Sequence, residues 1–204
     1  MDEDPIIEVE GRYHADPASK SRILRGADFI YQLKRQDVYY DTPDLTLARK
    51  GLYLINKNGE FELKVPDGEE DARKGSGFEE QHSDTAIRKH LELPKTGSLI
   101  DLLERGGFVQ FCRLMLVRDR YQHGPLRIDI DHTHFPSLFR YDVAEVEIKV
   151  NRSRKHEADK MVKEFAEARS LKKARGKLFE FLHRTRTKDY ETLCGVLGID
   201  DSVF

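Results

Sequence analysis

Pairs of acidic residues separated by a single residue recur in three segments of this chain. In each segment charged residues alternate with apolar ones, a pattern typical of a β-strand with one ionised face. Carboxylates crowded on one surface repel one another unless a cation lies between them, and Mg²⁺ prefers carboxylate oxygens as ligands. The pairs are Glu8 and Glu10, Asp129 and Asp131, and Glu145 and Glu147. Their spacing therefore indicates a surface that could hold divalent metal ions.

Basic residues occupy the charged faces of the same or similar segments. Arg118 and Arg120 flank an aspartate. Arg127 precedes the second acidic pair, and Lys64 follows Glu62 at the same spacing. Both basic residue types bind phosphate oxygens, and arginine does so in a bidentate manner. A surface with both signs of charge would suit a polyphosphate and its metal ions, which together neutralise the charge that moves during phosphoryl transfer.

These charged strand faces point either to water or towards one another. An antiparallel sheet with one wet face would account for any single strand. The faces carry few of the Ser, Thr and Gln residues that usually dilute a solvated surface, and three of them crowd acids together. A closed barrel with a charged lumen, whose apolar residues point outward to surrounding helices, explains both features. We therefore predict an α+β fold built on such a barrel.

Turn and capping residues divide the chain into its expected elements. Asn58-Gly59 predicts a hairpin, and Pro17 after Asp16 predicts the start of a helix. We expect strands over 6–13, 29–40, 52–57, 61–65, 78–82, 108–121, 126–131 and 141–150, and helices over 17–25, from 83, 96–105, 155–168, 177–183 and 188–197. The polar segment 67–77 is expected to be a flexible loop, with a helical turn over 44–50. The chain is thus predicted to be one domain, 1–204, with a helical region from about 155.

Composition narrows the classes of protein. The 204 residues are 38% hydrophobic and 35% charged, with a net charge of −2. This near balance offers no basic field for nucleic acid, and no run approaches the roughly 18 apolar residues of a membrane span. The two cysteines, Cys112 and Cys194, predict reduced thiols rather than a disulfide framework. We expect a cytoplasmic monomer without nucleic-acid or membrane partners.

An ordered set of motifs resembles the CYTH superfamily of triphosphate tunnel metalloenzymes, and within it the thiamine triphosphatase branch. The family opens with a Glu-x-Glu-x-Lys signature, which is similar to Glu8-Val9-Glu10-Gly11-Arg12 here. The other matching segments are 37–47, Glu62-Leu63-Lys64-Val65-Pro66, Arg127-Ile128-Asp129-Ile130-Asp131, Glu145-Val146-Glu147, Lys177-Leu178 and 184–190. They follow one another from residue 6 to about 193, nearly the whole chain.

The resemblance implies an eight-stranded antiparallel tunnel with helices packed outside, and it implies roles for individual residues. Lys64 and Tyr39 would activate the attacking water, which requires the lysine to lower the pKa of the phenol. Metal ligands would be Glu8, Glu10, Glu80, Asp129, Glu145 and Glu147. The triphosphate would contact Arg12, Lys57, Lys64, Arg118, Arg120, Arg127 and Lys177. The implied activity is a Mg²⁺-dependent hydrolase, with Mn²⁺ as a second candidate metal, that removes the terminal phosphate of thiamine triphosphate.

The chain departs from the family pattern in two strands. Arg12 stands where the signature has lysine, and Ile55 and Lys57 stand where the family carries inward arginines. Loss of an inward arginine should weaken phosphate binding or change the length of substrate. The acid after segment 67–77 is Glu79 or Glu80, of which we favour Glu80. These departures leave open an inorganic tripolyphosphatase, a nucleoside triphosphatase, or a module that binds polyphosphate without hydrolysing it.

Other reactive residues have simpler interpretations. His132 and His134 have ligand-like spacing, but we expect them to lie in a loop. The cysteines lack the neighbours that nucleophilic catalysis needs, and the basic run 172–175 is expected to be a solvated surface. Tyr39 itself could be an ordinary strand aromatic.

Overall fold

Eight strands form the framework of the protein in a computed structural model, which describes residues 4–204 without the side chain of Lys74. They pair as a closed antiparallel barrel in the order β1-β5-β4-β3-β2-β6-β7-β8. Closure confirms the predicted α+β barrel. The strands are β1 (Ile6–His14), β2 (Asp28–Asp41), β3 (Tyr53–Lys57), β4 (Glu60–Pro66), β5 (Phe78–Gln81), β6 (Val109–His123), β7 (Leu126–Phe135) and β8 (Phe139–Asn151).

Seven α-helices accompany the barrel in the described part of the chain. They are α1 (Pro17–Ile23), α2 (Glu69–Lys74), α3 (Asp84–His90), α4 (Leu99–Arg105), α5 (Lys155–Ala168), α6 (Lys177–Thr185) and α7 (Thr187–Leu197). Two predictions were wrong. Segment 67–77 contains α2, which three acids in its first turn favour. His132 and His134 lie within β7, because its pairing with β8 continues to Phe135.

The outer face of the barrel is apolar, as the alternation predicts, and helices cover it in two places. On one side, Ile7, Val9, Ile128 and Val146 pack against α5. On the other side, apolar side chains of α3 and α4 cover the strands. The buried residues there are Val38, Tyr40, Leu54 and Leu63 of the strands and Ile87, Leu99 and Leu103 of the two helices. Because these faces are dry, the charged residues on the opposite face must line the lumen.

One part of the lumen is apolar, which the sequence pattern did not indicate. Leu116 lies two residues before Arg118, and Val143 lies two residues before Glu145, so both point to the inner face. They are fully or almost fully buried there. They belong to a hydrophobic cluster with Leu178, Phe181 and Leu182 of α6 and with residues of α7. Burial of this apolar surface attaches α6 and α7 to the barrel, so the C-terminal helices close this part of the lumen.

Backbone pairing is sparse between β1 and β5. Within residues 4–204 only Glu8 and Phe78 pair across this seam, whereas β1 and β8 pair from Ile6 to His14. The segment 67–77, which connects β4 to β5 and contains α2, lies at the same seam and is referred to below as the 67–77 arm. No helix of the described residues is both long enough and apolar enough to cross a membrane.

Candidate functional site

A cavity of about 1130 Å³ occupies the charged part of the lumen and extends to a groove beside α5 and the C-terminal residues. Strand register concentrates acids on one of its walls. Glu10 pairs with Glu147, and Asp129 pairs with Glu145, so side chains from β1, β7 and β8 meet in neighbouring rows. The register therefore brings Glu10 and Glu147 together although they lie more than 100 residues apart in the chain.

Two clusters of buried carboxylates on this wall have oxygens within 4.8 Å of one another. One consists of Glu8, Glu10 and Glu147, and the other of Asp129, Glu145 and Glu147. Five of the six predicted metal ligands are therefore brought together, and Glu147 is common to both clusters. A third group, on the neighbouring strands, consists of Glu62, Glu80 and the exposed His82.

The donor set fits a hard divalent cation. Oε1 of Glu147 is buried and is in ion-pair contact with Nη2 of Arg127. The ligand atoms that the two clusters offer are carboxylate oxygens within 4.8 Å of one another. Carboxylate oxygens alone favour Mg²⁺ or Mn²⁺ over softer metals.

The deepest charged layer is a network around Arg118. Its guanidinium donates to Asp131 at 2.5 and 2.6 Å, to Asp129 at 2.7 Å and to Glu145 at 2.6 Å. Lys177, at the start of α6, donates to Asp131 at 2.5 Å and to Glu145 at 2.6 Å. Although burial alone would raise it, the pKa of Glu145 is held well below its usual range by Lys177 and Arg118. Every carboxylate here is thus paired with a buried cation.

Lys64 lies at the centre of the opposite wall. Its ammonium donates to Glu8 at 2.7 Å and lies 3.5 Å from Glu80 and 3.8 Å from Glu10. Glu80 lines the cavity, whereas Glu79 contacts Arg152 outside it. The structure therefore places Glu80, as we favoured, on the lumen side of β5.

The predicted pair of Lys64 and Tyr39 lies on this wall, but their surroundings favour the protonated form of both groups. Burial, reinforced by the nearby Asp37, raises the pKa of Tyr39 well above its usual value. Burial would lower the pKa of Lys64, but Glu10 and Glu8 outweigh it and raise that pKa well above the usual value. Among the described residues, no hydrogen bond joins the two side chains, and Tyr39 packs in the apolar cluster with Ile55.

Three other predicted phosphate ligands lie nearer the open end of the lumen. Arg120 donates to Asp129 at 2.8 and 2.7 Å, and Arg127 donates to Glu8 at 3.3 Å. Lys57 donates to both oxygens of Glu62 at 2.5 Å. These cations are more exposed than Arg118, so an anion could reach them. The seventh predicted ligand, Arg12, lies at the β1–β5 seam.

Sequence reasoning left several cavity or network residues unassigned. They are Arg35, Asp37, Tyr53, Glu62, Asp131 and Lys149. The signal was present for four of them, because Asp37, Glu62, Asp131 and Lys149 each lie two positions from a residue that was assigned. Lys149 donates to Glu80 at 2.5 Å and lies 3.5 Å from Glu8, which links β8 to the opposite wall.

The acidic layer makes stability depend on pH. Burial raises the pKa of Glu8, but Lys64, Lys149 and Arg127 outweigh it and lower the pKa from 4.5 to about 2. Because the folded-state pKa is lowered, ionised Glu8 stabilises the fold above pH 4.5, and this contribution is lost as pH falls towards 2. The shift corresponds to roughly 3 kcal/mol. We expect the free energy of unfolding of Glu8→Gln, measured by urea denaturation, to lack this part of the dependence on pH. Stability curves of both proteins that stay parallel between pH 4.5 and 2 would contradict the assignment.

Comparison with known proteins identifies the family. A profile of the CYTH domain matches residues 7–180, which include all eight strands except the first residue of β1. The chain belongs to the CYTH family. The likeness extends to human thiamine-triphosphatase, which is 25% identical over 217 aligned residues covering 94% of this chain and 90% of the human protein.

Solved structures support the same fold. The PH1819 protein of Pyrococcus horikoshii OT3 superimposes with a TM-score of 0.57 at 19% identity, covering 86% of this chain and 97% of its own. The PH1012 protein of the same organism superimposes with a TM-score of 0.52 at 18% identity, covering 81% and 91%. At these identities the likeness concerns the fold, and the CYTH barrel of this chain is therefore shared with both.

Proposed function

We propose that this CYTH protein is a metal-dependent hydrolase that removes the terminal phosphate of a triphosphate, with thiamine triphosphate as the preferred substrate and Mg²⁺ as the metal. One observation carries the proposal: two carboxylate clusters that fit a divalent cation lie in the same lumen as several buried or half-buried cations. A site for an anion alone would not need so many acids. The 25% identity to human thiamine-triphosphatase supports the choice of substrate.

The two clusters would hold the metal, with Glu80 contributing from β5. A bound divalent cation would polarise phosphate oxygens and neutralise charge developing on them. Arg120, Arg127 and Lys57 would exchange their present carboxylate partners for phosphate oxygens. Arg118 and Lys177, which are fixed by five charge-assisted bonds to Asp131 and Glu145, would orient the innermost phosphate.

Lys64 and Tyr39 remain the proposed pair beside the attacking water. Since Lys64 is an ammonium group here, it would stabilise negative charge at the reacting phosphate. Tyr39 could act as the base only as a phenolate, so its phenolic proton would first have to be lost to solvent in a more cationic environment that lowers its pKa. Because Tyr39 is proposed to act on the attacking water and not to hold phosphate, we predict that Tyr39→Phe retains tripolyphosphate binding.

Phosphate release tests the proposal and separates its rivals. Purified protein is assayed with thiamine triphosphate, inorganic tripolyphosphate and ATP, each with Mg²⁺, with Mn²⁺ and with excess EDTA. We expect release that requires the metal and is fastest with thiamine triphosphate. Faster turnover of tripolyphosphate or ATP would instead identify a related triphosphatase. Tripolyphosphate binding without turnover of any compound would contradict the enzyme assignment.

The binding-module alternative rests on Ile55. This side chain is buried on the inner face of β3, opposite Glu62 of β4 and Tyr39 of β2, where the family pattern implies an arginine. An apolar residue there removes one phosphate contact. The metal clusters are unaffected by it, and we therefore place hydrolysis ahead of binding alone.

A further inference from the structure

The 67–77 arm is attached to β1 by side chains where the backbone ladder is missing. The backbone N–H of Glu10 donates to Oγ of Ser76 at 3.2 Å. One residue earlier, the carbonyl of Gly75 accepts a hydrogen bond of 2.7 Å from Nη1 of Arg12. These two contacts replace strand pairing at the seam, where the described residues pair at Glu8 and Phe78 alone.

The Arg12 guanidinium connects four parts of the site. Nη2 donates to Oε1 of Glu10, Nη1 donates to the arm, and Nε lies 3.7 Å from Glu145. The fourth neighbour is Gly176, directly before Lys177. A methyl group at Gly176 would lie 3.2 Å from Nε and 3.4 Å from Cζ of Arg12, closer than such contacts normally are. Gly176 has φ −65° and ψ 156°, so its backbone does not require glycine, and the missing side chain leaves room for Arg12.

We propose that Arg12 is a positioning residue that latches the 67–77 arm to β1 and orients Glu10 and the start of α6, rather than a phosphate ligand. Both terminal nitrogens are engaged on opposite sides of the seam. A lysine has one nitrogen and no planar fork, so it cannot make both contacts in the same geometry. This inference goes beyond the proposed function, because the latch consists of contacts between groups of the protein itself.

Hydrogen exchange measures the latch directly. The amides of Gly75 and Ser76 donate to the carbonyl of Asp71 at 2.8 and 3.2 Å, and their protection reports on the C-terminal end of the arm. The N-terminal end is held separately, by ion pairs from Lys155 to Asp67 and Asp71. We expect Arg12→Lys to accelerate exchange of the Gly75 and Ser76 amides by about 10-fold or more through local opening.

Gly176→Ala provides an independent test, because its methyl group would push the guanidinium by a few tenths of an ångström without changing its chemistry. It should accelerate exchange at the same two amides. The matched control is Arg154→Lys, an arginine whose ion pair with Glu157 is on the surface, and it should leave the arm unchanged. If Arg12→Lys does not fold, Gly176→Ala alone decides the question. Unchanged exchange at Gly75 and Ser76 in Gly176→Ala would overturn the latch.

Kinetics distinguish positioning from binding. With tripolyphosphate as substrate, a positioning role predicts that Arg12→Lys lowers kcat while KM stays within about twofold, whereas loss of a phosphate ligand raises KM. A raised KM together with unchanged exchange would show that Arg12 is a phosphate ligand. If no substrate is hydrolysed, the exchange experiment still tests the latch, so its failure and that of the proposed function are distinguishable.

Discussion

Replacement of Arg118 by methionine is expected to lower the free energy of unfolding by about 3–5 kcal/mol and to abolish phosphate release. Removal of one partner from a buried charge network leaves the remaining charges desolvated and unpaired, which costs this amount in other proteins. Arg118 donates four hydrogen bonds to three buried carboxylates, Asp129, Asp131 and Glu145. Lys177 alone cannot compensate all three. Urea denaturation at pH 7 measures the loss.

Arg120→Met is the matched control for this prediction. Arg120 is the same residue type two positions along β6, but its side chain is 17% exposed against 7% for Arg118, and Asp129 is its one acidic partner among the described residues. Water can replace part of its interaction, so its substitution should cost clearly less stability. Equal losses for the two variants would show that the Arg118 network does not hold the barrel together.

Glu147→Gln is expected to weaken Mn²⁺ or Mg²⁺ binding by at least about 100-fold and to lower metal-dependent phosphate release by a similar factor. Loss of a group in the outer shell of a metal site already costs about 10–100-fold in affinity. Glu147 belongs to both carboxylate clusters. An amide keeps the shape of the side chain but removes the charge that a hard cation requires. Calorimetric titration of the metal, without substrate, measures the effect.

A second buried carboxylate outside the lumen supplies the control. Glu180 of α6 is buried and accepts a hydrogen bond of 2.6 Å from Arg184. Glu180→Gln therefore also removes a buried charge, but it should leave metal affinity within about twofold of the parent protein, because it belongs to neither cluster. Equal metal affinity in Glu147→Gln and the parent would refute the assignment of this wall to a cation.

The alternation of charged and apolar residues predicted which side chains share a face. Side chains on a strand point to opposite sides with a period of two, so Glu8, Glu10, Glu145 and Glu147 could be grouped before any pairing was known. The same rule applies to Asp131, Glu62 and Lys149, which follow directly from their assigned neighbours. The resemblance to the CYTH family supplied the number of strands and the roles of these faces. The barrel and its charged wall were therefore predictable.

Three contacts depended on how separate elements fold together. The register places Glu10 beside Glu147 and Asp129 beside Glu145. Lys177, which belongs to α6 and not to the sheet, contacts Asp131 in the lumen. A period of two cannot predict such contacts, because it says nothing about which strands are neighbours or where a helix docks.

Arg12 shows the difference most clearly. Its sequence position, two residues after Glu10, predicts a side chain in the lumen and by resemblance a phosphate ligand. The tertiary structure decides what the guanidinium contacts. It donates to the carbonyl of Gly75, 63 residues away along the chain. It also lies against Gly176, more than 160 residues away, whose missing side chain leaves room for it. Strand periodicity fixes the direction of a side chain, whereas its partners depend on which backbone folds against it.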